Sequence, residues 1–401
     1  METSHKTSAA VERLYDTYPF PPEPLLDEPP PGYNWRWHWS AAYSFCTGQK
    51  PLRQEIRILD AGCGTGVGTE YLVHLNPQAS VVGIDLSAGA LKVATERCRR
   101  SGANRVEFHQ LNLCDAAQLE GEFDLINCVG VLHHLPDPIK GIQSLAAKLA
   151  VGGLLHIFVY AELGRWEIQL MQQAIALLQG QKQGDYRDGV KVGRQLFESL
   201  PENNRIVKRD KERWCLENHQ DECFADMYVH PQEIDYNIET VFELIAASGL
   251  EFVGFSNPRY WNLERLVGKN QELMRRAQGL SDRQKYRLIE LLDPELTHYE
   301  FFLTRPPLPK ADWSADETLL AAICERNPCM NGWPSKSIFD YDYQLVQLSE
   351  AEFEFLQACD YPAEGDHNSD GRLRVAEILA NAQLELEEVR ELLKRQLIML
   401  S

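Results

Sequence analysis

The chain has 401 residues, 44% hydrophobic and 25% charged, enough to bury a large core divided between two or three folding units. No apolar run approaches the ~20 residues of a spanning helix, and the opening Met-Glu-Thr-Ser-His-Lys lacks an apolar signal core, so a cytoplasmic protein without a membrane partner is expected. A net charge of −19 repels phosphate backbones and disfavours nucleic acid, and ten cysteines without a Cys-x-x-Cys pair predict no metal site.

In chain order, residues 1–50 predict a short helix near 11–15, then two stretches dense in proline and aromatics, Tyr18 to Leu25 and Pro29 to Trp39. Prolines at this density hold an extended path, and so many aromatics imply packing against something. Ile56, Ile58 and Leu59 read as a buried parallel strand that stops at Asp60 and Ala61. Gly62, Gly64 and Gly66 then alternate into a helix start at Val67. Bare glycines allow a tight turn and let a ligand reach the peptide N–H groups at the helix N-terminus. The dinucleotide fingerprint would need a glycine where Val67 or Thr69 stands, so that reading fails.

The second strand, Ser80 to Asp85, ends on the same side of the sheet, where its carboxylate can accept both hydroxyls of a ribose or cap a helix near Ser87. A third, Val106 to His109, leads to Asn112 and Asp115; a fourth, Phe123 to Val129, runs into Gly130 to Pro138 with His133 and His134; a fifth covers Leu154 to Tyr160. Helices are expected at 166–178, 190–200 and 238–248, a sixth strand at 250–256, a charged helical insert at 262–292, and a seventh strand at 298–304 halted by Pro306-Pro307. From 308 onward 8 Lys and Arg face 18 Asp and Glu, a net of −10, with a strand at 343–348 and helices at 350–359, 373–382 and 385–396.

Asp60-x-Gly62-x-Gly64-x-Gly66, with Asp85, the segment from Val129 through His134, and Gly152-Gly153 before the fifth strand, resembles the class I S-adenosylmethionine-dependent methyltransferases over 56–160. The resemblance implies an α/β fold: a Rossmann-like seven-stranded sheet with its last strand antiparallel, in a domain at 51–306 with helical inserts near 161–235 and 262–292. It implies S-adenosyl-L-methionine as cofactor, held by Asp60, Gly62, Cys63, Gly64, Gly66, Asp85, Leu86, Asn112, Leu113 and Val129. Most members carry Asp where Asn112 stands beside the adenine; the amide oxygen still accepts, and Asp115 is the rival. Tyr-Pro openings of bacterial methyltransferases are similar to the leader, which is therefore read as a lid over 1–50. Residues 307–401 resemble a winged-helix module, mainly α; the mixed charge of its last helix favours docking to protein, or a homodimer, over DNA.

A sulfonium is already a good leaving group, so catalysis is mainly alignment and exclusion of water. His133 and His134 stand where the methyl should emerge; adjacent side chains point apart, so one at most is expected to face the acceptor. Both also fit a packing role. Tyr18, Tyr160 and His230 are candidates to touch the acceptor. Asn127 lacks the Asn-Pro-Pro-Tyr signature of adenine, cytosine and glutamine amide methylation. The expectation is methylation of a nitrogen or oxygen on a protein side chain, lysine or asparagine for example. Methylation of a small molecule and a catalytically silent cofactor-binding scaffold are the alternatives.

Overall fold

The computed structural model describes residues 2–360 and 372–401. In chain order the helices are α1 (Glu2–Thr17), α2 (Trp39–Thr47), α3 (Val67–Leu75), α4 (Ala88–Ser101), α5 (Pro138–Ala146), α6 (Trp166–Gln179), α7 (Tyr186–Ser199), α8 (Arg205–Arg213), α9 (Asp221–Tyr228), α10 (Ile238–Ser248), α11 (Glu264–Val267), α12 (Gln271–Ala277), α13 (Asp282–Leu292), α14 (Asp316–Ala321), α15 (Glu350–Ala358), α16 (Val375–Leu379) and α17 (Leu386–Lys394). The strands are β1 (Arg57–Ala61), β2 (Ser80–Asp85), β3 (Val106–Gln110), β4 (Phe123–Val129), β5 (Leu149–Tyr160), β6 (Glu251–Phe255), β7 (His298–Thr304), β8 (Cys324–Arg326), β9 (Ser337–Phe339), β10 (Leu345–Gln347) and β11 (Ile398–Leu400). Among the described residues no helix is long and apolar enough to cross a membrane.

The first of two units comprises residues 1–30, 57–73 and 80–306. Its seven strands are ordered β3-β2-β1-β4-β5-β7-β6, with β7 antiparallel to both neighbours and the first five parallel. The switch of direction between β1 and β4 opens the crevice at the carboxyl ends of these strands, where ligands of such sheets bind. Parallel strands covered on both faces need continuous apolar runs. Ile58, Leu59, Leu125, Ile126, Leu155 and Ile157 meet that need and are buried. Each is worth about 1.5–3 kcal/mol against exposure.

A buried polar chain crosses the same sheet. Thr69 Oγ1 donates to Asp60 Oδ2 at 2.6 Å, and Asn127 Nδ2 donates to Asp60 Oδ1 at 2.8 Å. Asn127 Oδ1 lies 2.9 Å from His156 Nδ1, and His156 Nε2 lies 3.0 Å from Glu300. Ser256 Oγ closes the chain on Glu300 Oε2 at 2.7 Å.

The leader enters this unit only as far as Pro30. Helix α1 is longer than the short helix expected near 11–15, and Leu14 packs into the core of the insert with Ile168, Met171, Trp214, Phe224 and Tyr228. The extended stretch after it is pinned by Arg97, which stands beside Arg99 and Arg100 near the end of α4. Arg97 is 2% exposed. It donates to Thr65 O at 3.0 Å, Pro24 O at 2.9 Å and Glu23 O at 2.6 Å. Arg100 adds a two-pronged pair with Asp27. On α8, Arg209 meets Glu167 and Glu295, Arg213 meets Glu295, and Lys211 meets Glu202.

The second unit comprises residues 31–56, 74–79 and 307–401. The aromatic stretch expected to belong to the lid lies here. Trp35 packs on Phe45 with centroids 4.5 Å apart and donates from Nε1 to Tyr341 O at 2.9 Å, and Trp313 Nε1 donates to Gly48 O at 2.6 Å. The expected helices are present as α15, α16 and α17, around a core that includes Leu319, Ile338, Phe355, Ile378 and Leu392. The expected strand is β10, paired with β9 in one ribbon, while β11 pairs with β8 in another.

Candidate active site

Strands β1 and β2 pair in parallel with Ala61 opposite Ile84, which carries the glycine turn and Asp85 to one end of the sheet. The Gly64 N–H donates to Asp85 Oδ2 at 2.8 Å, and the Ser87 N–H donates to Oδ1 at 2.9 Å. Ser87, not Asp85, caps α4 by accepting from Ala90 N–H. A carboxylate has about four lone-pair positions, so Asp85 has capacity left to accept further hydrogen bonds, such as those of a vicinal diol. Burial raises its pKa above the usual carboxylate range, and the N–H groups of Ser87, Gly64 and Leu86 act in the opposite direction.

The glycines serve a different purpose from the one expected. A Cβ on Gly62 would strike Val131, one on Gly64 would come within 2.5 Å of Phe20 O, and one on Gly66 within 2.7 Å of Ala94. All three have positive φ, at 80°, 52° and 82°. The amides are engaged too. Gly62 and Cys63 donate to Ile84 O, Gly64 to Asp85, Thr65 to Phe20 O, and Gly66 to Cys63 O. So the turn's N–H groups hold protein, and the bare backbone admits the leader, Val131 and α4. Thr65 Oγ1 adds a bond to Pro21 O at 2.6 Å, which sets the leader directly against the turn.

The remaining cofactor candidates divide in the same manner. Asp60 is 3% exposed with both oxygens engaged by Thr69 and Asn127, so it fixes the turn from beneath. Cys63 and Leu113 are buried, while Leu86 and Val129 are half-buried at the ends of β2 and β4. Asn112 Oδ1, expected to accept an adenine amine, receives the Cys114 N–H at 2.9 Å as a cap, leaving one lone pair and the NH2 group. Asp115 pairs with Lys140 at 3.6 Å. With Asp85 at the end of β2, Asn112 just past β3 and the glycine turn after β1 at one end of the sheet, the residues present fit a nucleoside cofactor.

Beyond the ends of β4 and β5 lies a chamber of buried, packed polar side chains. His133 and His134 occupy a 3-10 turn, and their rings are 4.2 Å apart, so they do not point apart as expected of an extended pair. The turn's tighter angle per residue brings them together. His133 packs tilted against Tyr160 with centroids 3.9 Å apart, and His134 stacks on His230 at 3.7 Å with planes 26° apart. The bridge between Ala161 and Tyr236, with Ile234 N–H donating to His133 O, folds the 230–236 segment onto this turn. Tyr160 and His230 therefore join the two histidines, whereas Tyr18 packs on the core of the insert.

Four chamber residues escaped the sequence reading. Tyr15 donates to Asp226 Oδ1 at 2.8 Å and sets its ring 5.7 Å from that of His230. Arg165 lies 3.4 Å over the Tyr160 ring and 3.3 Å from Glu233. Tyr15, Arg165, Asp226 and Glu233 fall in segments without a motif, and nothing in their spacing marks them. Burial lowers His134 to about 3 and His133 and His230 well below the ordinary histidine value, so the rings are neutral. Burial raises Asp226 to about 6, with the Tyr15 bond and Arg165 opposing. Glu233 is raised by burial as well, against the pull of Arg165.

Comparison with known proteins follows this geometry. Residues 59–155 match the family described as methyltransferase domain. A protein of Synechococcus sp. is 61% identical over 98% of this chain and 93% of its own length. The phycocyanin operon protein W of Pseudanabaena tenuis is 80% identical over 96 residues, 24% of this chain and 91% of that protein. The solved structure of PKMT2 from Rickettsia typhi in complex with AdoHcy aligns with a TM-score of 0.63 at 15% identity, over 92% of this chain and 76% of that one. At that identity the likeness speaks for the fold.

Proposed function

Because this chain belongs to the class I S-adenosylmethionine-dependent methyltransferases, we propose that it methylates a side-chain nitrogen or oxygen of a protein, and that phycocyanin is the acceptor. The observation that carries the acceptor is the 80% identity to a protein named for a phycocyanin operon. Small-molecule methylation is the outcome that would replace this reading.

S-adenosylmethionine supplies an electrophilic methyl on a positively charged sulfur. Asp85 would hold the ribose through its remaining lone pairs, and the leader across Thr65 and Gly64 would exclude water. His133 and His134 face the chamber, with Tyr160 and Arg165 as its wall. In-line transfer needs the acceptor atom about 3–3.5 Å from the methyl carbon, so alignment is the main demand on the site.

The test is incubation of the full chain with methyl-tritiated cofactor and phycocyanin purified from cells lacking the enzyme. Label in a phycocyanin subunit is expected. No label in phycocyanin, with label entering a soluble metabolite when lysate of those cells is supplied instead, would refute the protein acceptor.

A further inference from the structure

His134, His230 and Asp226 present ligand-capable atoms within 4.8 Å of one another. Two imidazoles and a carboxylate so placed match a divalent-metal triad. The backbone of Gln232 points to another use. Its carbonyl lies 2.9 Å from His134 Nδ1, and its N–H donates to His230 Nδ1 at 3.1 Å. A carbonyl only accepts, so His134 carries its proton on Nδ1 and a lone pair on Nε2. An N–H only donates, so His230 carries its lone pair on Nδ1 and its proton on Nε2. A metal on His230 Nε2 would drive that proton to Nδ1, against the Gln232 N–H. His230 Nε2 is buried and has no partner within the protein.

We propose that Gln232 fixes the two stacked rings in opposite tautomers, making His134 Nε2 the proton acceptor and His230 Nε2–H the donor that together hold the methyl-accepting group. This rests on the methyl-transfer reading and adds roles to the same site. The acceptor nitrogen or oxygen forms its bond to the methyl carbon as the carbon–sulfur bond breaks, the electron pair staying on sulfur. The acceptor's proton passes to His134 Nε2, and the imidazolium so formed keeps its Nδ1–H on the Gln232 carbonyl. His230 Nε2–H donates to an oxygen of the acceptor. Asp226, oriented by Tyr15, faces the resulting cation. His133 has no such assignment, since both of its ring nitrogens lack partners in the protein.

The pair suits an acceptor with both a donor and a lone pair, such as a carboxamide, carboxyl or hydroxyl. An ammonium offers donors alone and would leave His230 Nε2–H opposed.

The experiment labels the full chain with 15N-histidine and records long-range proton–nitrogen spectra at neutral pH without added metal. His134→Gln and His230→Gln assign the two rings, and His134→Asn and His230→Asn replace either one that fails to fold. An Nδ1-protonated His134 and an Nε2-protonated His230 are expected. The same tautomer on both rings, or joint coordination when zinc is added, would overturn the proposal. In parallel, His230→Gln, which keeps an N–H at similar reach, should retain kcat within about 10-fold, while His230→Leu and His134→Gln lose about 100-fold or more, with cofactor affinity unchanged. Equal losses in His230→Gln and His230→Leu would contradict the donor role. Should phycocyanin take no label from the wild type, the acceptor reading fails, and the ring spectra still decide the tautomers.

Discussion

The Gly64 amide and the Asp85 carboxylate meet at 2.8 Å across the tips of two parallel strands, so the turn that starts α3 and the acid that ends β2 are one device. A change to either residue is expected to disturb both the leader above and the carboxylate proposed to accept the ribose.

The glycine turn separates two costs that a Cβ brings. At Gly102 φ is +80° with nothing within 4 Å, so Gly102→Ala meets backbone strain alone, about 1 kcal/mol. At Gly64 a Cβ also meets Phe20 O at 2.5 Å. Gly64→Ala should therefore unfold at lower denaturant than Gly102→Ala and weaken cofactor binding, which Gly102→Ala leaves unchanged. Chemical denaturation and calorimetry of both variants check this.

Arg97 is expected to govern the leader. Its guanidinium satisfies three carbonyls at Thr65, Pro24 and Glu23, a fork that lysine cannot reproduce. Arg97→Lys should lose about 2–4 kcal/mol and expose residues 18–30 to limited proteolysis ahead of the sheet. Proteolysis that starts elsewhere would contradict the tether.

Asn127 joins Asp60 to His156 in the middle of the sheet. Asn127→Leu removes both bonds and leaves a buried carboxylate and a buried imidazole short of partners. A loss of about 2–5 kcal/mol is expected in equilibrium unfolding. Asn127→Asp is expected to be no better, because it faces Asp60 with a second negative charge.

The chamber sets an acid limit. Its histidines have folded pKa values below 6.5, so the unfolded chain binds protons more readily and stability falls as pH drops below about 6.5. Asp226 works the other way: raised to about 6 from 3.8, its contribution is full below 3.8 and is lost as pH rises through 6. Asp226→Asn should thus gain stability near pH 7.5, by about 3 kcal/mol or less, and gain little near pH 4. Thermal unfolding across this range reads both slopes.

The sheet was legible because its strands alternate with turns at regular spacing, and Ile58 and Leu59 or Leu125 and Ile126 are apolar on both faces. The Gly64–Asp85 juxtaposition was legible for the same reason. The purpose of the glycines was not, since no local signal shows that Phe20 and Val131 return to lie against them. The buried role of Arg97 was hidden in a run of arginines whose other members reach solvent. The chamber depends on a bridge between Ala161 and Tyr236, 75 residues apart, and long-range pairing of that kind has no periodicity to read. The two histidines were misjudged by the rule for extended chains, because the local backbone is a 3-10 turn.

A crystal structure of the full chain with S-adenosylhomocysteine tests the account most directly. The ribose hydroxyls are expected about 2.5–3.0 Å from the Asp85 carboxylate, with the sulfur directed toward the His133–His134 turn. A nucleoside bound away from the β1 and β2 tips, or a sulfur facing away from that chamber, would contradict it.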